Sequence, residues 1–257
     1  MPTRSEHDRP LNVLLLAGTA EAGALDRALA KDPRYRVTVS LAGVTRQVKG
    51  FAATVRSGGF GGAEGFATYL HDERIDVVIN ATHPFAAQMS RTVSQVTRDM
   101  VLPMVRLLRP PWRQPTGGNW IAAADLTDAA RLLPSDATGF LALGQRHLTA
   151  FQDHPARLVV RSLEAPPDGL LPDARWIIGP PGQSLEEEAD LLAETRTTHL
   201  VARNSGGSAG WAKIAAATAA GLPVIMVTRP AVPPQQVAVS IPEVLAWLDR
   251  VKSGRGG

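Results

Sequence analysis

The sequence predicts an α/β protein of two Rossmann-like domains, each built on a mainly parallel sheet, with a ligand cleft between them. Three observations carry this expectation. Short runs of Val, Ile and Leu alternate with longer amphipathic stretches, the pattern of parallel strands joined by crossover helices. The runs are apolar nearly throughout, as in a sheet covered on both faces. The series also occurs twice, and both copies close on the same signature. Leu102-Pro103 leads to Arg109-Pro110 in the first half, and Leu222-Pro223 leads to Arg229-Pro230 in the second.

In the first half, strands are expected over 13–17, 36–41, 54–56, 76–80 and 104–107, with helices over 20–30, 62–73 and 85–100 between them. Leu25 and Leu29 share one face of the first helix. After Pro111 the texture changes to Trp112, Pro115, Gly117 and Gly118, a breaker-rich stretch that reads as a linker over 112–119. It would join a domain of residues 1–111 to one of residues 120–257. Strands of the second series are expected over 139–143, 158–161, 176–178, 200–202 and 224–227, with helices over 185–194, 210–220 and 242–251.

Composition narrows the chemistry. The 257 residues contain no cysteine, which excludes disulfides, thiol nucleophiles, Cys-ligated zinc and iron–sulfur clusters, and makes a reducing cytoplasm the expected compartment. The balance of 27 Lys and Arg against 24 Asp and Glu suits a small anionic ligand but falls short of the basic stripe of a nucleic-acid binder. No apolar run approaches a membrane span, and the acids in MPTRSEHDRP make a poor signal peptide.

The sharpest motif is Gly18-Thr19-Ala20-Glu21-Ala22-Gly23, where a strand runs directly into a helix. It has the spacing of a dinucleotide fingerprint with its middle glycine replaced by alanine. Gly18 permits the tight turn, and the helix N-terminus offers backbone N–H groups and partial positive charge to a pyrophosphate. Ala20 brings a methyl group close to the phosphates, and Glu21 repels them; the plain alternative is a helix capped by Thr19. The charge pattern beyond favours the nucleotide. No Asp or Glu occurs between Asp32 and Glu64, whereas Arg34, Arg36, Arg46, Lys49 and Arg56 do. An acid at the end of the second strand would grip the ribose of NAD; its absence points to NADP(H), with Ser40 and Arg46 as contacts to the 2′-phosphate.

Three further clusters draw attention. Residues 57–62, Ser-Gly-Gly-Phe-Gly-Gly, read either as a flap or as a loop that needs positive φ values. Asn80-Ala81-Thr82-His83-Pro84-Phe85-Ala86 stands at a strand's carboxyl end, where Thr82 and His83 would face the nicotinamide; the alternative is helix-start chemistry with Pro84 in the first turn. Arg203-Asn204-Ser205-Gly206-Gly207, followed by Lys213, reads as a second anion cradle, suited to carboxylates or phosphates.

With these motifs in view, the sequence resembles the precorrin-6A reductase family of cobalamin biosynthesis, which includes the cobalt-precorrin-6A reductases of the anaerobic branch. The resemblance rests on Leu15-Leu16-Ala17-Gly18-Thr19 with Glu21, on Ala81-Thr82-His83-Pro84-Phe85-Ala86, on Asn204-Ser205-Gly206-Gly207 with Lys213, and on Gly221 to Arg229-Pro230. Arg203 departs from the lysine often found in the family. The resemblance implies NADPH-dependent reduction of one double bond in a polycarboxylated tetrapyrrole, precorrin-6A, giving precorrin-6B, with neighbouring pathway enzymes as further partners. It implies that Phe85, Arg203, Asn204, Ser205, Gly206, Gly207, Lys213 and Arg229 meet the substrate, with Arg109 and Arg146 as further carboxylate partners. His83 is positioned to donate or orient the proton, a role that bulk water or the substrate's own carboxyl groups could equally fill. Two rivals stand beside it. One is a reductase of a smaller anion, although the Tyr-x-x-x-Lys pair of short-chain reductases is absent from Tyr35 and Tyr69; the other is a nucleotide-sensing module without catalysis.

Overall fold

The computed structural model describes residues 9–41, 50–182, 184–208 and 210–254. Two compact units emerge, one formed by Met1–Arg109 with Ala231–Gly257 and the other by Pro110–Pro230. Both changes of unit fall at an Arg-Pro signature noted above, at Arg109-Pro110 and just after Arg229-Pro230.

The first unit opens with β1 (Leu11–Ala17), α1 (Ala20–Leu29), β2 (Tyr35–Leu41), β3 (Thr54–Ser57), α2 (Gly62–Asp72), β4 (Val77–Ala81), α3 (Ala87–Asp99) and β5 (Met104–Leu107). The second contains β6 (Asn119–Ala123), α4 (Leu126–Leu132), β7 (Thr138–Ala142), two short 3-10 turns (Gln145–His147 and Thr149–Phe151), β8 (Arg157–Ser162), β9 (Arg175–Ile178), α5 (Leu185–Glu194), β10 (His199–Arg203), α6 (Trp211–Ala219) and β11 (Pro223–Val227). The chain then returns to the first unit with β12 (Val237–Ala238) and α7 (Ile241–Gly254).

All pairings in the first sheet are parallel, in the order β12-β5-β4-β1-β2-β3. Read from the other edge, this is the strand order of a doubly wound nucleotide fold, reversing direction between β1 and β4. Alternate residues of β1 feed opposite faces. Val13, Leu15 and Ala17 pack with Leu25 and Leu29 of α1 and with Trp247 and Leu248 of α7, whereas Leu14 and Leu16 pack with Phe66 and Leu70 of α2 and Val93 of α3. The continuous apolar run is therefore required, because neither face meets water. The second sheet, also parallel, runs β6-β11-β10-β7-β8-β9. Five consecutive strands of each sheet, from the β3 or β9 edge inward, correspond one to one between units, and both units are Rossmann-like as the sequence predicts. They differ in the sixth strand, which the first unit takes from late in the chain and the second from its own beginning.

Several expectations need correction. Residues 231–257, expected in the second domain, complete the first: β12 pairs with Arg106 and Leu107, and Ala238, Val244, Trp247 and Leu248 are buried in its core. The stretch 112–119 is no linker, since Trp112 is bound to the second unit and Asn119 begins β6. β6 was not foreseen because Asn-Trp-Ile-Ala-Ala lacks a β-branched run, and β12 because two residues carry no period. The third helix starts at Ala87, not Phe85. Pro84 sits inside a turn closed by the Ala86 amide donating to the His83 carbonyl (2.8 Å), rather than in the first helical turn.

Candidate functional site

In a doubly wound sheet, ligands collect beyond the carboxyl ends of the strands where the order reverses. In the first unit those ends are Ala17 of β1 and Ala81 of β4, and the loops that follow are the two motifs singled out in the sequence. They meet closely. A Cβ added at Gly18 would lie 3.3 Å from the His83 backbone nitrogen and 3.4 Å from the Thr82 Cα, so glycine is what lets the loops approach. Gly18 and Ala20 are exposed at this edge. Thr19 is indeed the N-cap: its hydroxyl accepts from the Ala22 amide (3.3 Å) and donates to the Ala81 carbonyl (3.2 Å), joining the turn to β4. The remaining first-turn amides of α1 keep no helical partner, which suits them to an anion.

Thr82 is fixed by its hydroxyl donating to Asn80 Oδ1 (2.7 Å), while Asn80 Nδ2 donates to the Ser90 hydroxyl of α3 (3.3 Å). His83 Nδ1 accepts from the Phe85 amide (3.3 Å), which places the proton of the neutral ring on Nε2. The Phe85 ring lies tilted against the imidazole, centroids 5.8 Å apart. Beneath this turn lies Arg106 of β5, only 3% exposed, donating to the Pro84 carbonyl (3.4 Å). Its Nε has no partner among the described residues, no carboxylate there pairs with it, and burial holds its pKa below the ordinary value. A buried positive charge under the turn fits an anionic dinucleotide. Glu21, the expected repeller, is paired: Arg109 Nη1 donates to its Oε2 at 2.6 Å.

At the ends of β2 and β3, Ser40 is buried and its hydroxyl accepts from Arg56 Nη1 (2.8 Å). Arg56 also donates to the carbonyls of Gly58 and Gly59 (3.1 Å each), and its guanidinium lies over the Phe60 ring, 3.9 Å from the centroid. The 57–62 loop thus wraps an arginine, with positive φ at Gly58, Gly61 and Gly62. Arg46 lies outside the described residues.

The reversal point of the second unit falls between β7 and β10, and the residues following those strands are cationic. Arg203 ends β10, and burial pushes its guanidinium down to about 10. His147, after β7, is held below its ordinary value by burial and by Arg203 and Arg146. On α6, Lys213 Nζ donates to the Gly210 carbonyl (2.9 Å); burial, reinforced by Arg161 and opposed by Glu188, pushes it down to about 8. Arg161 and Glu188 themselves form a buried ion pair (2.8 Å).

The loop 204–207 is clamped from behind. Trp112 donates its amide to Asn204 Oδ1 (2.7 Å) and accepts from Asn204 Nδ2 (3.0 Å), while its indole donates to the Gly207 carbonyl (2.6 Å). Arg229 donates to the carbonyls of Asn204 (2.9 Å) and Ser205 (3.0 Å). The side chains of Asn204 and Arg229, expected at the substrate, therefore engage the loop's own frame. Gly206, at φ +69°, has no alternative residue: a Cβ there would fall 2.0 Å from the Pro110 carbonyl oxygen and 2.6 Å from Arg229 Nη2. Sequence reasoning missed Trp112, taken for linker, and the importance of Arg56 and His147; for Trp112 no local signal exists.

The fold defines the class, an α/β protein of two Rossmann-like units. Comparison with known proteins narrows it. The family model described as "Precorrin-6x reductase CbiJ/CobK" matches residues 12–249. The chain is 38% identical over 239 residues to a precorrin-6A reductase of Rhodococcus erythropolis, covering 92% of this chain and 96% of that one. A precorrin-6A reductase of Rhodobacter capsulatus gives 38% identity over 239 residues, covering 92% and 95%. A solved structure described as CobK precorrin-6A reductase superposes with a TM-score of 0.87 at 36% identity, covering 94% of this chain and 97% of that one. The chain belongs to the precorrin-6x reductase family of cobalamin biosynthesis. No helix among the described residues is long and apolar enough to cross a membrane.

Proposed function

We propose that the chain reduces one ring double bond of precorrin-6A with NADPH, giving precorrin-6B, in the cytoplasm. The observation that carries this reading is the meeting of Gly18 with Thr82 and His83 at the reversal point of the first sheet. The first unit holds the nucleotide. The Gly18 turn, with Thr19, Ala20 and the α1 amides, receives the pyrophosphate, with the carboxylate of Glu21 beside it paired to Arg109; Ser40 with Arg56 and Arg46 receives the 2′-phosphate, and Thr82 and His83 the nicotinamide end. When bound, NADPH supplies the hydride.

The second unit holds the substrate's carboxylates through Arg203, Lys213, Ser205 and the backbone of Gly206 and Gly207, with Asn204, Arg229 and Trp112 fixing the loop's shape. Phe85 offers an apolar ring face to the macrocycle. The work of these groups is orientation and charge neutralisation rather than bond-making. Reduction adds hydride to one carbon and a proton to its neighbour; the Nε2–H of the neutral His83 ring orients the source of that proton, water or one of the substrate's own carboxyl groups, and His83 itself donates it only as the imidazolium. Mixing the purified chain with NADPH and precorrin-6A, and in parallel with the cobalt-bearing ring, should oxidise NADPH at the expense of the metal-free substrate. Absence of oxidation with both would refute the reading.

A further inference from the structure

The cofactor-binding turn carries a carboxylate where an anion must sit. Glu21 occupies the first turn of α1, two residues beyond the N-cap, and pyrophosphate brought to the α1 amides would meet it. The structure supplies an answer from a distant part of the chain. Arg109, following β5, reaches across to Glu21 with a 2.6 Å contact, its side chain 13% exposed and that of Glu21 34%. Both line a small cavity at the mouth of the turn together with Thr19, Thr82, Pro84, Leu107 and Leu108. Its volume, about 10 Å³, is that of one water.

We propose that Arg109 is a positioning residue of the nucleotide site which acts through Glu21, neutralising and holding aside the carboxylate that otherwise repels the dinucleotide pyrophosphate. The proposal rests on the first unit being the cofactor-binding one. It assigns Arg109 to the nucleotide rather than to the substrate's carboxylates, and it explains how a helix can keep an acid for its own stability while receiving a phosphate. Removing one member of a shielded charge pair harms chiefly because the other is left unpaired, so the loss should vanish when both are removed.

The experiment is a double-mutant cycle read by NADPH fluorescence titration on the full-length protein. Arg109→Met should weaken NADPH about tenfold or more, with the loss shrinking as salt is raised, because an exposed negative charge is screened. Glu21→Gln should bind within about twofold of the unmodified protein. The double variant should recover to within about threefold. A double variant as weak as Arg109→Met would overturn the proposal by showing that Arg109 grips the ligand itself, and an unimpaired Arg109→Met would overturn it as well. Should Arg109→Met fail to fold, comparing Glu21→Gln with Glu21→Gln/Arg109→Met decides the matter, since neither leaves an unpaired carboxylate at the turn: equal affinities support the mask, a tenfold difference refutes it. Failure of the unmodified protein to bind NADPH at all would instead refute the cofactor assignment.

Discussion

On the proposed reading Arg56 and Arg46 both serve the 2′-phosphate; of the two, Arg56 is among the described residues. Arg56 is stacked on Phe60 and bonded to Ser40 at the strand ends where a 2′-phosphate belongs. Arg56→Ala should weaken NADPH about tenfold while changing NADH less than threefold, and Arg46→Glu should act in the same direction; equal losses for both nucleotides would show that neither arginine reads the phosphate. Lys213 permits a test on pH. Its pKa is pushed down to about 8 from the ordinary 10.5, so between those values the unfolded chain binds more protons than the folded one. This lysine therefore makes stability rise as pH climbs through that window, and at neutral pH it is kept charged at a cost. Lys213→Met should raise the melting temperature at neutral pH, and the gain should fade towards pH 10.5 in thermal scans.

Among the elements, the buried strands were the most legible. β1, β4, β10 and β11 announce themselves because both faces are covered and their central residues are apolar. The Gly18 turn was legible for the same reason, being a local consequence of strand meeting helix. β6 and β12 were not, since what makes them strands is a neighbour far away in sequence that offers hydrogen bonds, not their own five or two residues. The Arg109–Glu21 pair spans 88 positions and left no trace in spacing. The sequence reads 204–207 as an anion cradle or as a strand-to-helix turn, and neither reading holds a sign of the clamp that fixes the loop, which comes from Trp112, 92 positions away from Asn204. Gly206→Ala should cost about 3 kcal/mol in chemical denaturation, from a strained φ together with overlap with Pro110 and Arg229. Leu248→Ala, which opens a void between α7 and the first sheet, should cost about 2–5 kcal/mol. Hydrogen exchange should place that loss in β1, β4 and β5 and leave β7, β10 and β11 protected.

At the scale of the whole molecule, the repeated Arg-Pro signature reports duplication truthfully and misleads about boundaries. Five of the six strands of each sheet correspond, as the repeat implies, but the natural inference that everything after the second repeat belongs to the second domain fails. Continuity in sequence is a weak guide once an outer strand can be supplied from either direction. The borrowed strand β12 and its helix α7 also bear on how the protein is made. During synthesis on the ribosome, residues 110–230 emerge with every strand of their sheet in hand, whereas the amino-terminal unit, although begun first, lacks one edge and part of its hydrophobic core until β12 and α7 have been made. The later-made unit is thus the first able to finish folding, and the nascent amino-terminal unit must wait for β12 and α7 to follow it.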